Sequence, residues 1–119
     1  SLDYFKGLVQ TADLIQLSLL NAIFEEEQTQ IQKSRKIYEN LNSEIAPGNL
    51  KVNLAFIAFE MRMSNNDRVK DLYYKAFDRS ISRQDARAVC LISVKYARFL
   101  AFKCNDVLRA CEIMDRAIA

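Results

Sequence analysis

Backbone punctuation is nearly missing from this chain: two glycines, Gly7 and Gly48, and one proline, Pro47, stand in 119 residues. Hairpin turns, bulges and phosphate-binding loops use positive φ, which glycine supplies without steric cost. Two glycines cannot serve several such turns, so sheet-rich and dinucleotide-binding folds are excluded and an all-α chain is expected. Half of the residues are hydrophobic and 27% are charged, the balance of a single core-forming domain and not of a disordered tail.

Turn chemistry falls at residues 46–49, 64–67, 80–82 and 105–106, with weaker breaks near 11–13 and 29–30. Between them the apolar residues recur at spacings of three and four, as in Val52, Phe56, Phe59 and Met63, or Leu108, Cys111, Met114 and Ile118. That period marks helices with one face to bury. Six helices are predicted, at 13–28, 30–45, 49–63, 67–80, 83–103 and 106–118, with residues 2–9 as a further helical turn. Asp13, Asn49, Asp67, Ser82 and Asp106 each precede an apolar-periodic stretch and are the expected N-caps. Ser82 with Asp85 has the spacing of a capping box.

The helices repeat. An offset of 35 residues lays Phe24-Glu25 over Phe59-Glu60 and Ile37-Tyr38 over Leu72-Tyr73, so two successive helices shift together. Steps of 40 and 41 lay Phe56 over Tyr96, Phe59 over Phe99, and Leu72-Tyr73 over Ile113-Met114. Three antiparallel helix pairs are expected, at about 13–46, 47–81 and 82–119. Such pairs cannot bury their apolar faces alone and are expected to stack into an α-solenoid whose surface receives a partner.

Composition removes most chemistry. There is no histidine, and with it go the usual neutral-pH acid/base residue, histidine-containing triads and histidine metal sites. Cys90, Cys104 and Cys111 match neither a paired disulfide framework nor a zinc knuckle. Cys104 and Cys111 cannot bridge along one helix, where seven residues rise about 10.5 Å against the roughly 7 Å that a disulfide spans. Buried, reduced thiols are expected. The uncharged run at 14–24 already contains Gln16, Ser18 and Asn21, and it is short of the about 20 apolar residues of a membrane span. Ser1 is the start expected of a piece of a longer protein. Residues 1–60 carry 5 basic against 8 acidic side chains and residues 61–119 carry 12 against 7, so charge is graded along a chain whose net is only +2.

The first helix of a pair carries an aromatic, two residues, then aromatic-Glu, as in Phe56-Ile57-Ala58-Phe59-Glu60. The second carries basic-x-aliphatic-Tyr, as in Arg35-Lys36-Ile37-Tyr38. This resembles the HAT (half-a-tetratricopeptide) repeat of RNA-processing proteins. The runs Asn21-Ala22-Ile23-Phe24-Glu25-Glu26-Glu27-Gln28, Ser34-Arg35-Lys36-Ile37-Tyr38, Phe59-Glu60-Met61-Arg62 and Val94-Lys95-Tyr96-Ala97-Arg98-Phe99-Leu100 are similar to the C-terminal HAT repeats of the pre-mRNA-processing factor 39 family. The similarity covers about residues 14–119. Departures are the lack of tryptophan, Leu100 in place of Glu, and a closing proline only in the first repeat. The resemblance implies a nuclear, non-enzymatic scaffold without cofactor. It would associate with U1 snRNP proteins in alternative splice-site choice, and pair with itself as a homodimer or with adjoining HAT repeats.

The residues themselves divide three ways. Phe24, Glu25, Tyr38, Phe56, Phe59, Glu60, Tyr73, Tyr96 and Phe99 are the repeat-packing motif; base-stacking platforms or catalytic carboxylates are the competing readings, and helical spacing and placement on separate repeats favour packing. Leu108, Cys111, Met114 and Ile118, with Val107 and Ile113 beside them, make the last helix apolar over more than one stripe, where a capping helix has a polar outer face. They are the candidate protein interface, covered either by a further repeat or by a second copy. Arg79, Arg83 and Arg87 are the candidate charged partner surface, facing an acidic protein or RNA, although the neighbouring basic residues are interleaved with Asp67, Asp71, Asp78 and Asp85. A tetratricopeptide-like adaptor that captures a peptide or helix, and an RNA-contacting repeat, are the alternative functions. No catalytic, metal or small-molecule site is expected.

Overall fold

The structure, a computed structural model, describes residues 2–119 and the side chains from Thr11 onward. It is all-helical among the described residues: α1 (Leu2–Glu27), α2 (Ile31–Asn40), α3 (Leu50–Arg62), α4 (Asn66–Ser82), α5 (Ala86–Phe102) and α6 (Val107–Ile118). α2 runs on into a π-helical turn, Leu41–Ile45, closed by the Ala46 N–H donating to the Leu41 carbonyl at 2.8 Å. Pro47 follows, with no N–H to extend the ladder.

The turns show how a glycine-poor chain folds tightly. Thr29, Ser64, Gln84 and Asn105 all adopt left-handed backbone conformations, with φ of 60°, 57°, 53° and 54°. Three of these turns share one hydrogen-bond pattern. The N–H groups of Gln30, Asn65 and Asp85 donate to the carbonyls of Glu25, Glu60 and Ser80 at 2.8, 2.9 and 3.1 Å. Those of Thr29, Ser64 and Gln84 donate to Glu26, Met61 and Ile81, each at 3.0 Å. This double closure satisfies the last free carbonyls of each helix, which offsets the roughly 1–2 kcal/mol that a Cβ costs in the left-handed region.

Several expected boundaries move. The break near residues 11–13 does not end a helix: α1 passes through it, because no glycine or proline interrupts the ladder there, and Asp13 is an exposed mid-helix residue. Ser82 closes α4, and the cap of α5 is Asp85, whose carboxylate accepts from the Ala88 N–H at 3.2 Å. The left-handed turn at Gln84 sets that register. Asp67 lies within the first turn of α4, after Asn65 in the cap position; an acid there still meets the positive end of the helix dipole. Asn49 and Asp106 do cap, accepting from Val52 N–H at 3.1 Å and Arg109 N–H at 3.0 Å.

The chain divides into two compact units, one up to Phe56 and one from Ile57 to Ala119. In the first, α1 and α2 approach through small residues: Ala22 and Ser34 are fully buried, and the Ser34 hydroxyl donates to the Ala22 carbonyl at 2.7 Å. Tyr38 of α2 stacks on Phe56 of α3, centroids 5.6 Å apart and planes within 8°. On the surface, Lys51 Nζ donates to Gln16 Oε1 at 3.0 Å.

In the second unit, α4 buries Val69, Leu72, Tyr73, Ala76, Phe77 and Ser80, and α5 buries Ile92, Tyr96, Phe99 and Leu100. Both sets follow the three-and-four spacing of a helix face. Tyr73 meets Tyr96 at 5.5 Å and Phe99 at 5.8 Å, and Phe77 meets Tyr96 edge-on at 6.1 Å. Pairs at these distances add about 0.5–1.5 kcal/mol each beyond their buried area. α6 seats Ala110 and Ile113 in this core. It is also held by Arg116, which lies 5.1 Å over the Phe77 ring and 3.5 Å from Asp78, and by Arg109, 5.9 Å over the Tyr74 ring.

Candidate protein interface

α6 has two apolar sides, and only one is used by its own core. Ile113 is fully buried and Ala110 nearly so, whereas Leu108 and Ile118 are 75% and 80% exposed. Cys111 is exposed and Met114 half-buried. The four residues of the expected interface therefore lie on or beside the free side of the helix.

The neighbouring helix continues that surface. Between α5 and α6 runs a groove of about 440 Å³ floored by Val94, Ala97, Ala101, Val107, Ala110 and Met114, with Arg98 and Asp115 as its charged members. A second concavity of about 520 Å³, which shares Val94 and Met114, extends it past Val89, Ala117 and Ile118. Phe102 stands at one end, 82% exposed. Along α5, Leu91, Val94 and Phe102 alternate with Arg87, Lys95 and Arg98 on one exposed stripe, and α5 carries no acidic residue. Hydrophobic anchors within a charged rim are the composition of a protein contact.

A second apolar face lies on α1. Leu14, Leu17, Leu20, Ile23 and Phe24 are each about half or more exposed. At about 100° per residue they occupy the side of α1 opposite Leu19 and Ala22, the side that packs inward. Phe24, grouped with the repeat-packing aromatics, is thus a correction: at 55% exposure it packs in no core. Sequence spacing identified its motif but not which way the motif faced. Glu25 is half-buried. Phe59 and Glu60 are fully buried, while Tyr38, Phe56, Tyr73, Tyr96 and Phe99 lie in the aromatic contacts described above.

Arg79, half-buried, and Arg83 and Arg87, both exposed, stand around the α4–α5 turn. The nearby Asp71 and Lys75 pair at 3.1 Å on the surface, a contact worth little in water. The cysteines are all free. Cys90 and Cys111 are exposed in the groove walls, against the expectation of burial, because the groove side of α5 and α6 has no element over it. Desolvation pushes the Cys104 thiol up, away from thiolate. Among the described residues no three metal-ligating side chains come together, and no helix is long and apolar enough to cross a membrane. No family model, curated protein or solved structure matches this chain.

Proposed function

We propose that this chain is a non-enzymatic protein-protein scaffold built from HAT-like helix pairs stacked as a short α-solenoid, with repeats at about 13–46, 47–81 and 82–119, and that it self-associates. The observation that carries the reading is the apolar groove between α5 and α6, with Arg98, Asp115 and Arg116 as its charged lining, a surface of the kind that marks interaction sites on soluble proteins. Support for the repeat assignment comes from the turns, since Thr29 and Ser64 lie 35 residues apart with the same backbone closure. The resemblance to the pre-mRNA-processing factor 39 family extends the proposal to a nuclear role beside U1 snRNP in splice-site choice.

Two measurements test it. Light scattering over a concentration series is expected to give a mass of at least about 27 kDa, twice the 13.7 kDa chain, and Leu108→Glu is expected to lower it. A monomer at every concentration overturns self-association. The tagged chain is expected to retain U1 RNA from nuclear extract, and failure to do so above a tag-only control removes the splicing assignment while leaving the scaffold.

A further inference from the structure

We infer that the outward face of α1 in one copy of this chain docks into the α5–α6 groove of a second copy, a head-to-tail contact in which every molecule offers one face and receives the other. The inference rests on the scaffold reading and gives its self-association a geometry.

The apolar surface itself names the two faces. Of the large hydrophobic side chains left exposed among the described residues, all but Met61 and Tyr74 stand on α1 or on α5–α6. A helix apolar on opposite sides is a helix made to be covered on both, and α1 is covered on one.

Charge decides how the faces pair. From Thr11 to Glu27, α1 carries Asp13, Glu25, Glu26 and Glu27 and no basic residue. Asp13 and Glu27 project within the exposed apolar arc, near its two ends. α5 carries Arg87, Lys95 and Arg98 and no acid, on the stripe that also presents Leu91, Val94 and Phe102. Pairing α1 with α1, or α5 with α5, brings like charges together, whereas α1 on α5 joins opposite ones and so fixes the choice of face. The lengths agree: Leu14 to Phe24 rises about 15 Å and the 17 residues of α5 about 25 Å, so the whole stripe fits along the groove. Because the two faces differ, the contact is heterologous and propagates to longer oligomers unless it closes into a ring.

Complementation between blocked variants tests this. Leu17→Lys places a cation on the donor face and Phe102→Glu a carboxylate on the acceptor face. The two positions are 64% and 82% exposed, so both variants are expected to keep the wild-type helical circular dichroism. At low salt the wild-type mass is expected to climb past 27 kDa with concentration, and each variant alone to stay at 13.7 kDa. An equimolar mixture is expected to form a 27 kDa species and stop there, since one intact donor meets one intact acceptor. Added salt is expected to weaken all of these contacts. If the wild type associates but the mixture stays monomeric, or if either variant still dimerises alone, the head-to-tail contact is overturned and an isologous one remains. If the wild type never associates, self-association fails along with it. Leu20→Lys with Leu91→Glu repeats the test from neighbouring exposed positions.

Discussion

The junction from α1 to α2 and the junction from α3 to α4 come from one sequence pattern 35 residues apart, and they differ in what they bury. Their backbones agree: the helices end at Glu27 and Arg62, turn at Thr29 and Ser64, and restart at Ile31 and Asn66. Tyr38 and Tyr73 are buried in both. Yet Phe24 is 55% exposed where Phe59 is fully buried. Ala22 and Ser34 make the close approach in the first junction, and at the same offset the second has Ile57 and Val69, both buried. A local motif specifies the closure of a helix and the start of the next. Whether its outward aromatic is core or surface depends on what else packs there: α3 contributes to both compact units, while α1 packs along a single side.

The sharpest way to break this comparison is to truncate the two aromatics. Phe59→Ala is expected to cost about 3–5 kcal/mol in urea unfolding, and Phe24→Ala less than about 0.5 kcal/mol; equal losses mean that Phe24 is covered in solution.

Capping comes next. Asp85→Ala and Asp106→Ala each remove a carboxylate that accepts a first-turn N–H, and about 1 kcal/mol is expected for either. Gln30 and Asn65 occupy the cap positions of the repeated junctions without a side-chain bond, so Gln30→Ala and Asn65→Ala are expected to change melting little. Thr29→Gly and Ser64→Gly then sharpen the likeness. Each relieves a left-handed Cβ at the expense of a freer unfolded chain, and both are expected to stabilise by up to about 1 kcal/mol, in equal measure. Opposite signs at the two sites end the equivalence of the junctions.

The smallest effect is alkaline. Burial raises the Tyr73 and Tyr96 phenols above the ordinary tyrosine range, with Arg109 partly opposing this at Tyr96. A raised folded value favours the neutral form, so this contribution to stability is complete below about pH 10, the unfolded tyrosine value, and is lost as pH rises toward the folded values. Ultraviolet titration of the folded protein is expected to show these two phenols ionising above the ordinary tyrosine range.

Much of the candidate surface was legible in the chain. Leu108, Cys111, Met114 and Ile118 read as a surplus stripe because one helix cannot turn two apolar sides to the same core. The apolar stripe on α1 is harder to read, although Leu14, Leu17, Leu20, Ile23 and Phe24 are as apolar as any in the chain. The signal was there in the width of the apolar arc, since Leu19 and Ala22 lie opposite it, but spacing alone does not say which side meets α2. Cys90 and Cys111 depart from the expected burial for the same reason: a thiol on an apolar face is buried only where another element covers that face, and this one is open.

The amino-acid order by itself determined that the chain is helical, that it carries no histidine chemistry, and where its helices break to within a few residues, because these follow from φ preferences, capping groups and local hydrogen bonds. It did not select the cap of α5, which passed from Ser82 to Asp85 once Gln84 took the left-handed conformation. Only the tertiary structure decided which of two apolar sides of α1, α5 and α6 became core, because burial depends on the elements that come to lie against a helix and not on the helix's own sequence.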